Sequence, residues 1–302
     1  MRFFRRATHQ GLTAYLRLPG RIAYASVDRR ATTPRLLAVG VVPVKGENWS
    51  DALDGLQRKG PVSLVLGPED YKLRLLDAPN VPPDELKAAV CWQIQDMLDF
   101  HASDGTVDVL QVPHPEHLNH ARQIFAVAAK NSLIAQETAI AMAAGLDLAI
   151  IDILETAQRN LATRLEKPGR ALALFAFTET GGMLTLTLDG ELCMVRTLGV
   201  SQAHMEGDGE AGATERLTLE FQRTLDHFDR QFGGVPVDRL VLVPMDKAER
   251  LRERLAATLA VPVEVLDLTS ALDTSAFPGW DLLPHACFHA IGAALRMENT
   301  RP

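Results

Sequence analysis

One order of secondary-structure elements occurs twice in this chain and restricts its fold more than any single motif does. In each half, three predicted strands are followed by a helix, a strand and a second helix. The dipeptides Pro19-Gly20 and Asp189-Gly190 are turn signals that join neighbouring strands as hairpins. The repeat indicates an internal duplication of one α/β unit. The predicted strands are 11–18, 21–27, 35–44, 62–66, 171–177, 183–188, 191–198, 239–243 and 263–268, and the predicted helices are 49–57, 214–232, 247–259 and 284–296.

A second pattern, strand–helix–strand–strand–helix–strand, interrupts the first unit. Its predicted strands are 71–78, 106–111, 123–129 and 146–151, and its predicted helices are 84–98 and 132–144. Pro83 and Gly145 favour the start of the first helix and the end of the second. We predict a small α+β subdomain inserted at about residues 70–150. The break at Glu166-Lys167-Pro168-Gly169 then divides a first lobe, 1–168, from a second lobe, 169–302.

Two stretches carry a resemblance to a known family. They are LDAPNVPPDELKAAVCWQIQDMLDF at 76–100 and AAGLDLAIIDILETAQRNL at 143–161. Both resemble the PilM family of actin-like proteins, and most of all its branch in mannose-sensitive haemagglutinin (MSHA) type IV pilus biogenesis. The resemblance implies an α/β, two-lobed actin-like fold. Such a fold consists of duplicated ribonuclease-H-like β-β-β-α-β-α units, with an inserted small α+β subdomain in the first lobe.

The charge and cysteine content exclude several classes of protein. A net charge of −7 argues against a general nucleic-acid binder, which would present a basic surface. Three scattered cysteines form neither a zinc motif nor a disulfide framework and fit a reducing cytosol. No apolar run approaches the ~20 residues that span a bilayer. We expect the basic start, with Arg2, Arg5 and Arg6, to be a frayed terminus, and weak contact with an anionic membrane is the alternative.

Actin-like ATPases hold nucleotide phosphates between two hairpin turns, one in each lobe, whose glycine amides approach the phosphate oxygens. By resemblance, the first of these motifs is expected at residues 11–16. There Thr13 replaces the aspartate and Tyr15 replaces the second glycine. The second motif is expected at Phe175 and Phe177, which provide neither an aspartate nor a glycine.

Two further features bear on whether the chain keeps the family's nucleotide motifs. Glu179 or Gly181-Gly182 lies a few residues beyond the second motif and is a possible substitute for it. The glycine pair that contacts adenosine in the family is expected after strand 239–243, where Pro244-Met245 stands instead. Because all three motifs are degenerate, we expect no cofactor and no catalytic residue. ATP with magnesium is the alternative.

Two groups of histidines are candidate metal sites. His114, His117 and His120 form an H-x2-H-x2-H array in a polar segment, which we interpret as a solvated turn because no second ligand cluster accompanies it. His285 and His289 lie one helical turn apart, and we expect surface histidines there, since no carboxylate sits between them. The sequence therefore predicts no metal site.

Partner binding is the remaining candidate activity. In the PilM family, a short N-terminal peptide of a bitopic membrane protein docks beside the inserted subdomain. By resemblance, Leu76, Pro79 and Trp92 are expected near that groove. Trp92 projects from the side of helix 84–98 opposite its apolar stripe. We expect this tryptophan to pack against another subdomain, with exposure for recognition as the alternative.

We interpret the chain as a cytoplasmic scaffold of type IV pilus assembly at the inner-membrane face. It would bind the cytoplasmic tail of an inner-membrane pilus protein and link it to motor or platform proteins, without hydrolysing ATP. The alternative is a nucleotide-binding ATPase or switch. A membrane-bound, polymerising actin homologue of the cell-division type is disfavoured, because residues 297–302 are short and polar rather than an amphipathic helix.

Overall fold

The computed structural model describes residues 11–44, 49–54, 60–115, 121–206 and 209–296. Arg2, Arg5, Arg6, His117, His120 and residues 297–302 lie outside these ranges, so the expectations for them stay predictions. Among the described helices, none is long and apolar enough to cross a bilayer.

The elements follow the predicted order. The first half contains β1 (Gly11–Leu18), β2 (Arg21–Asp28), β3 (Arg35–Pro43), α1 (Trp49–Asp54), β4 (Pro61–Val65), β5 (Tyr71–Asp77), α2 (Leu86–Ile94), β6 (Gly105–Gln111), β7 (Gln123–Lys130), α3 (Asn131–Ala143), β8 (Asp147–Asp152) and α4 (Leu154–Thr163). The second half contains β9 (Ala171–Phe177), β10 (Gly182–Leu188), β11 (Glu191–Leu198), α5 (Glu210–Gln231), β12 (Val237–Leu242), α6 (Ala248–Ala256), β13 (Val263–Val265) and α7 (His285–Ala294).

Two five-stranded sheets share one topology. The first has the order β3-β2-β1-β4-β8 and the second β11-β10-β9-β12-β13. In both, three antiparallel strands are extended on one side by two parallel strands. The hairpin turn at Asp189-Gly190 has φ of 50° and 84°, the pair of positive values that this dipeptide favours. The predicted duplication is confirmed at the level of strand order and direction.

The inserted subdomain is a three-stranded antiparallel sheet of order β5-β7-β6 with helices α2 and α3. Val90 and Ile94 of α2 are buried on one face of this sheet. On its other face, Phe125 packs into the core of the second half and Val127 against the core of the first half. The insert therefore contacts both halves of the molecule.

Helices α4 and α7 lie between the two sheets and cross each other. The last described helix, α7, packs against β1 and β2 of the first sheet, and α4 packs against β10 and β11 of the second. Gly292 of α7 marks their closest approach, since a Cβ there would lie 2.0 Å from the carbonyl oxygen of Ala157. The two halves thus share one continuous apolar core.

Candidate functional site

A cleft of about 820 Å³ opens between the two lobes and is the candidate functional site. Three connections border it: the β1–β2 turn, the β9–β10 turn and the segment after β12. Its described lining is about equally polar and apolar. The apolar side chains include Leu16, Leu18, Leu154, Pro244, Met245, Trp280, Leu282 and Pro284. These are the connections at which nucleotide motifs were expected.

The first motif, expected at residues 11–16, does not lie at a turn. Strand β1 continues to Leu18, and the turn is Pro19-Gly20, with φ of +68° at Gly20. Thr13 and Tyr15 lie inside β1 instead. The Thr13 hydroxyl donates to Ser26 Oγ at 3.0 Å, and Tyr15 is buried in the core. The placement of the phosphate motif at these two residues is therefore corrected, and the turn that replaces it includes Pro19, which has no N–H to donate.

The second turn contains the sequence TETG at 178–181. Phe175 and Phe177 precede it as buried rings in edge-to-face contact, with centroids 5.0 Å apart. Gly181 and Gly182 are required by the sheet itself. A Cβ on Gly181 would lie 2.3 Å from the Leu198 carbonyl oxygen, and one on Gly182 would lie 2.6 Å from the Phe175 ring. Close packing in the sheet therefore accounts for glycine at both positions, and contact with a phosphate is not needed to explain them.

An ion pair joins the two turns across the cleft. Arg21, the first residue of β2, donates from Nη2 to both carboxylate oxygens of Glu179, at 2.7 and 2.9 Å. Among the described residues that line the cleft, Arg21 is the sole lysine or arginine, against the carboxylates of Glu179, Asp246, Glu249 and Asp281. The charged part of the described lining is therefore mainly acidic, and Arg21, its one cation, is already paired.

These residues do not fit a magnesium nucleotide. Magnesium sites of this kind use one or two carboxylates together with phosphates that the protein holds by other contacts. Here a proline occupies the first turn, and the glycines of the second are packed against neighbouring strands. Phosphate oxygens would also be repelled by the carboxylates. We assign no catalytic step to this cleft.

His285 and His289 lie at the base of the cleft and are 9% and 3% exposed, so the expectation of surface histidines was wrong. The Phe177 N–H donates to His285 Nδ1 at 3.3 Å, and His289 Nε2 lies 3.3 Å from Gln158 Oε1. Burial lowers the pKa of His285 to about 4, and burial, with a smaller contribution from His285, lowers the pKa of His289 to about 4. Both imidazoles are thus neutral at pH 7 and supply no positive charge to the cleft. The missed signal was that α7 contains no charged residue, which is typical of a helix buried on all sides.

The described residues form no other cluster of side chains suited to binding a metal ion. Within them, no group of three or more histidine, cysteine, aspartate or glutamate side chains is arranged to hold a metal ion. His114 is half-buried after β6, and the two other members of its array lie outside the described ranges. The interpretation of that array as a solvated turn stays a prediction.

A second cavity of about 340 Å³, here called the insert pocket, lies between the first sheet and the inserted subdomain. Its lining comes from β1 and the turn after it, α1, the end of β4 with the β4–β5 connection, α3 and the β9–β10 turn. The Arg17 guanidinium lies 4.2 Å over the Trp49 ring and pairs with the buried carboxylate of Glu137. Leu64, Leu66 and Leu133 make the pocket largely apolar between these charges.

The three residues expected at a partner groove have different positions. Leu76 is 7% exposed and belongs to the core beneath α2, so it presents no side chain to a partner. Pro79 is half-buried after β5. Trp92 is 74% exposed, so the expectation that it packs against another subdomain was wrong. A role for it in recognition stays a prediction. None of these three residues lines the insert pocket. No local pattern in the sequence indicates that this pocket exists.

Comparison with solved structures identifies the fold. A chain of the PilM-PilN type IV pilus biogenesis complex matches with a TM-score of 0.73 at 18% identity, covering 95% of this chain and 98% of that one. The cytoplasmic domain of EpsL, an inner membrane component of the type II secretion system of Vibrio cholerae, gives 0.48 at 13% identity over 76% and 81%. A Bacteroides thetaiotaomicron protein with an actin-like ATPase fold gives 0.49 at 10% identity over 90% and 96%. No protein-family model and no curated protein matches this chain. The chain therefore has the two-lobed actin-like α/β fold that the sequence predicted.

Proposed function

We propose that this protein is a cytoplasmic scaffold of type IV pilus assembly that works at the inner-membrane face without hydrolysing ATP. The observation that supports this most is the match, over nearly the whole chain, to a chain of the PilM-PilN pilus biogenesis complex. The acidic cleft with its poor fit to phosphates favours a scaffold over an ATPase. The assignment to MshI-like proteins of MSHA pili rests on residues 76–100 and 143–161.

The proposed ligand is the cytoplasmic tail of a bitopic inner-membrane pilus protein, bound as an extended peptide in the insert pocket. An extended peptide gains affinity from apolar side chains seated in pockets. Leu64, Leu66 and Leu133 supply such a surface beside the inserted subdomain. The neighbouring Glu69 and Asp70 favour a tail with lysine or arginine, which cytoplasmic segments next to a membrane span carry in excess.

A scaffold requires a second contact, and we assign it to the exposed side of α2. Trp92 is 74% exposed there, and Met97, just beyond the helix, is 47% exposed. Exposed tryptophan is enriched at the centres of protein interfaces. We propose that this surface contacts a motor or platform protein.

The test is a titration with a synthetic peptide of the cytoplasmic tail of the bitopic pilus protein from the same organism. Gln136 of α3 is exposed and lines the insert pocket, so Gln136→Arg places bulk and positive charge against the tail. We expect the dissociation constant to rise about tenfold or more, which is ~1.4 kcal/mol. Ala135→Arg, on the same helix but outside the pocket lining, is the matched control and should bind as the unmodified protein does. Absence of binding to the unmodified protein, or equal weakening by both variants, would contradict the proposal.

A further inference from the structure

Glu179 stands between the two cavities. It belongs to the β9–β10 turn of the second lobe, yet it lines both the interlobe cleft and the insert pocket, which is otherwise formed by the first lobe. Its neighbour Thr180 also lines the insert pocket. A ligand that fills that pocket can therefore contact both lobes.

The charges around the insert pocket are unbalanced. Its described lining has four carboxylates, on Glu69, Asp70, Glu137 and Glu179, and one arginine, Arg17. Arg17 pairs with Glu137, and Asp70 accepts the Gly67 N–H at 3.1 Å. A positively charged ligand group is thus favoured here by simple electrostatics.

Arg21 leaves one side of Glu179 accessible to such a group. Arg21 lines the interlobe cleft but not the insert pocket, so it holds Glu179 from the cleft side. A carboxylate has about four lone-pair sites, and the Arg21 Nη2 uses one on each oxygen. The side chain of Glu179 is 34% exposed, so a second cation can reach it from the insert pocket.

We infer that Glu179 is a specificity-determining residue of the partner site: it pairs with a lysine or arginine of the bound tail and thereby couples tail binding to the contact between the lobes. This inference rests on the proposed function. A ligand that contacts both lobes in one arrangement stabilises that arrangement over any in which the turns separate. The tail would therefore hold the β1–β2 and β9–β10 turns together in addition to docking on the insert.

The first test compares two charge-removing variants in the tail titration. Glu179→Gln should raise the dissociation constant about two- to fivefold, the range for a partly exposed ion pair. Glu249→Gln, which removes a carboxylate that lines the cleft but not the insert pocket, should have no effect. A tail peptide with its lysines and arginines replaced by glutamine should bind both variants and the unmodified protein equally. Such a peptide has no cation to pair with Glu179, so removing the Glu179 charge has nothing to break in this double-mutant cycle.

The second measurement is hydrogen exchange with and without the tail. We expect added protection at residues 178–181 of the second lobe as well as in the pocket lining of the first lobe. Binding that protects the first lobe alone, with Glu179→Gln binding normally, would overturn this inference and leave the scaffold proposal standing. If the tail does not bind the unmodified protein at all, both fail.

Discussion

Gly292 is the residue on which the contact between the two halves depends most directly. It lies in α7 against Ala157 of α4, and a Cβ would sit 2.0 Å from the Ala157 carbonyl oxygen. Backbone cannot move aside as a flexible side chain does, so Gly292→Ala should lower the free energy of unfolding by about 1–3 kcal/mol or more. Urea unfolding measures this change.

Gly212→Ala is the matched control for that substitution. Gly212 also lies in a helix, α5, but a Cβ added there would have no atom within 4 Å outside its own helix backbone and its chain neighbours. Alanine should there be neutral or stabilising by up to about 1 kcal/mol, because it restricts the unfolded chain more than glycine does. Equal effects of the two substitutions would contradict the close helix crossing.

The buried histidines make stability depend on pH. In the folded protein the pKa of His285 and that of His289 are about 4, below the ordinary value of 6.5. Between these values the unfolded chain binds more protons, so the stabilisation is complete above about pH 6.5 and is lost as the pH falls towards 4. We expect the free energy of unfolding to fall by on the order of 1–2 kcal/mol for each of these imidazoles when the pH is lowered from 7 to 5.

Urea unfolding of His285→Asn at both pH values isolates this effect. An asparagine Oδ1 can accept the Phe177 N–H in place of His285 Nδ1 but does not titrate in this range. The variant should lose less stability on acidification than the unmodified protein does, whereas His101→Asn, at an exposed position, should lose as much. An unchanged pH dependence in His285→Asn would argue against a buried neutral imidazole.

At the scale of single elements, helix α2 has one buried face and one exposed face. Ile94 is buried beneath it and Trp92 is 74% exposed on it, two residues apart. Ile94→Ala should cost about 2–5 kcal/mol of unfolding free energy. Trp92→Ala should change it by less than about 0.5 kcal/mol, because little packing is lost. Thermal unfolding of both variants checks this, and a large destabilisation by Trp92→Ala would mean that the indole is buried.

Strand β1 shows why element order was predictable but the exact motif position was not. Turn dipeptides and apolar runs located its hairpin correctly at Pro19-Gly20. Residues 12–16 are buried on both faces of the sheet, so Thr13 and Tyr15 lie in the core and not at the turn. Matching by resemblance alone placed Thr13 and Tyr15 at the phosphates.

At the scale of the whole molecule, the sequence predicted the duplicated architecture and the insert, but not what brings them together. The packing of α7 on β1 and β2 joins elements that lie far apart in the sequence. Arg21 and Glu179 are 158 residues apart, and no local pattern connects them. The insert pocket was missed for the same reason, because its walls come from five separate parts of the chain.

We propose that this two-lobed actin-like fold serves as a scaffold that does not use nucleotide. The most direct test is to follow the melting temperature of the purified protein while titrating Mg-ATP and Mg-ADP into the millimolar range. A ligand at 100 times its dissociation constant stabilises a fold by ~2.7 kcal/mol, which shifts the melting temperature by several degrees. We predict no shift with either nucleotide. A clear, saturable rise would show that the interlobe cleft binds nucleotide and that the protein is a nucleotide-dependent switch.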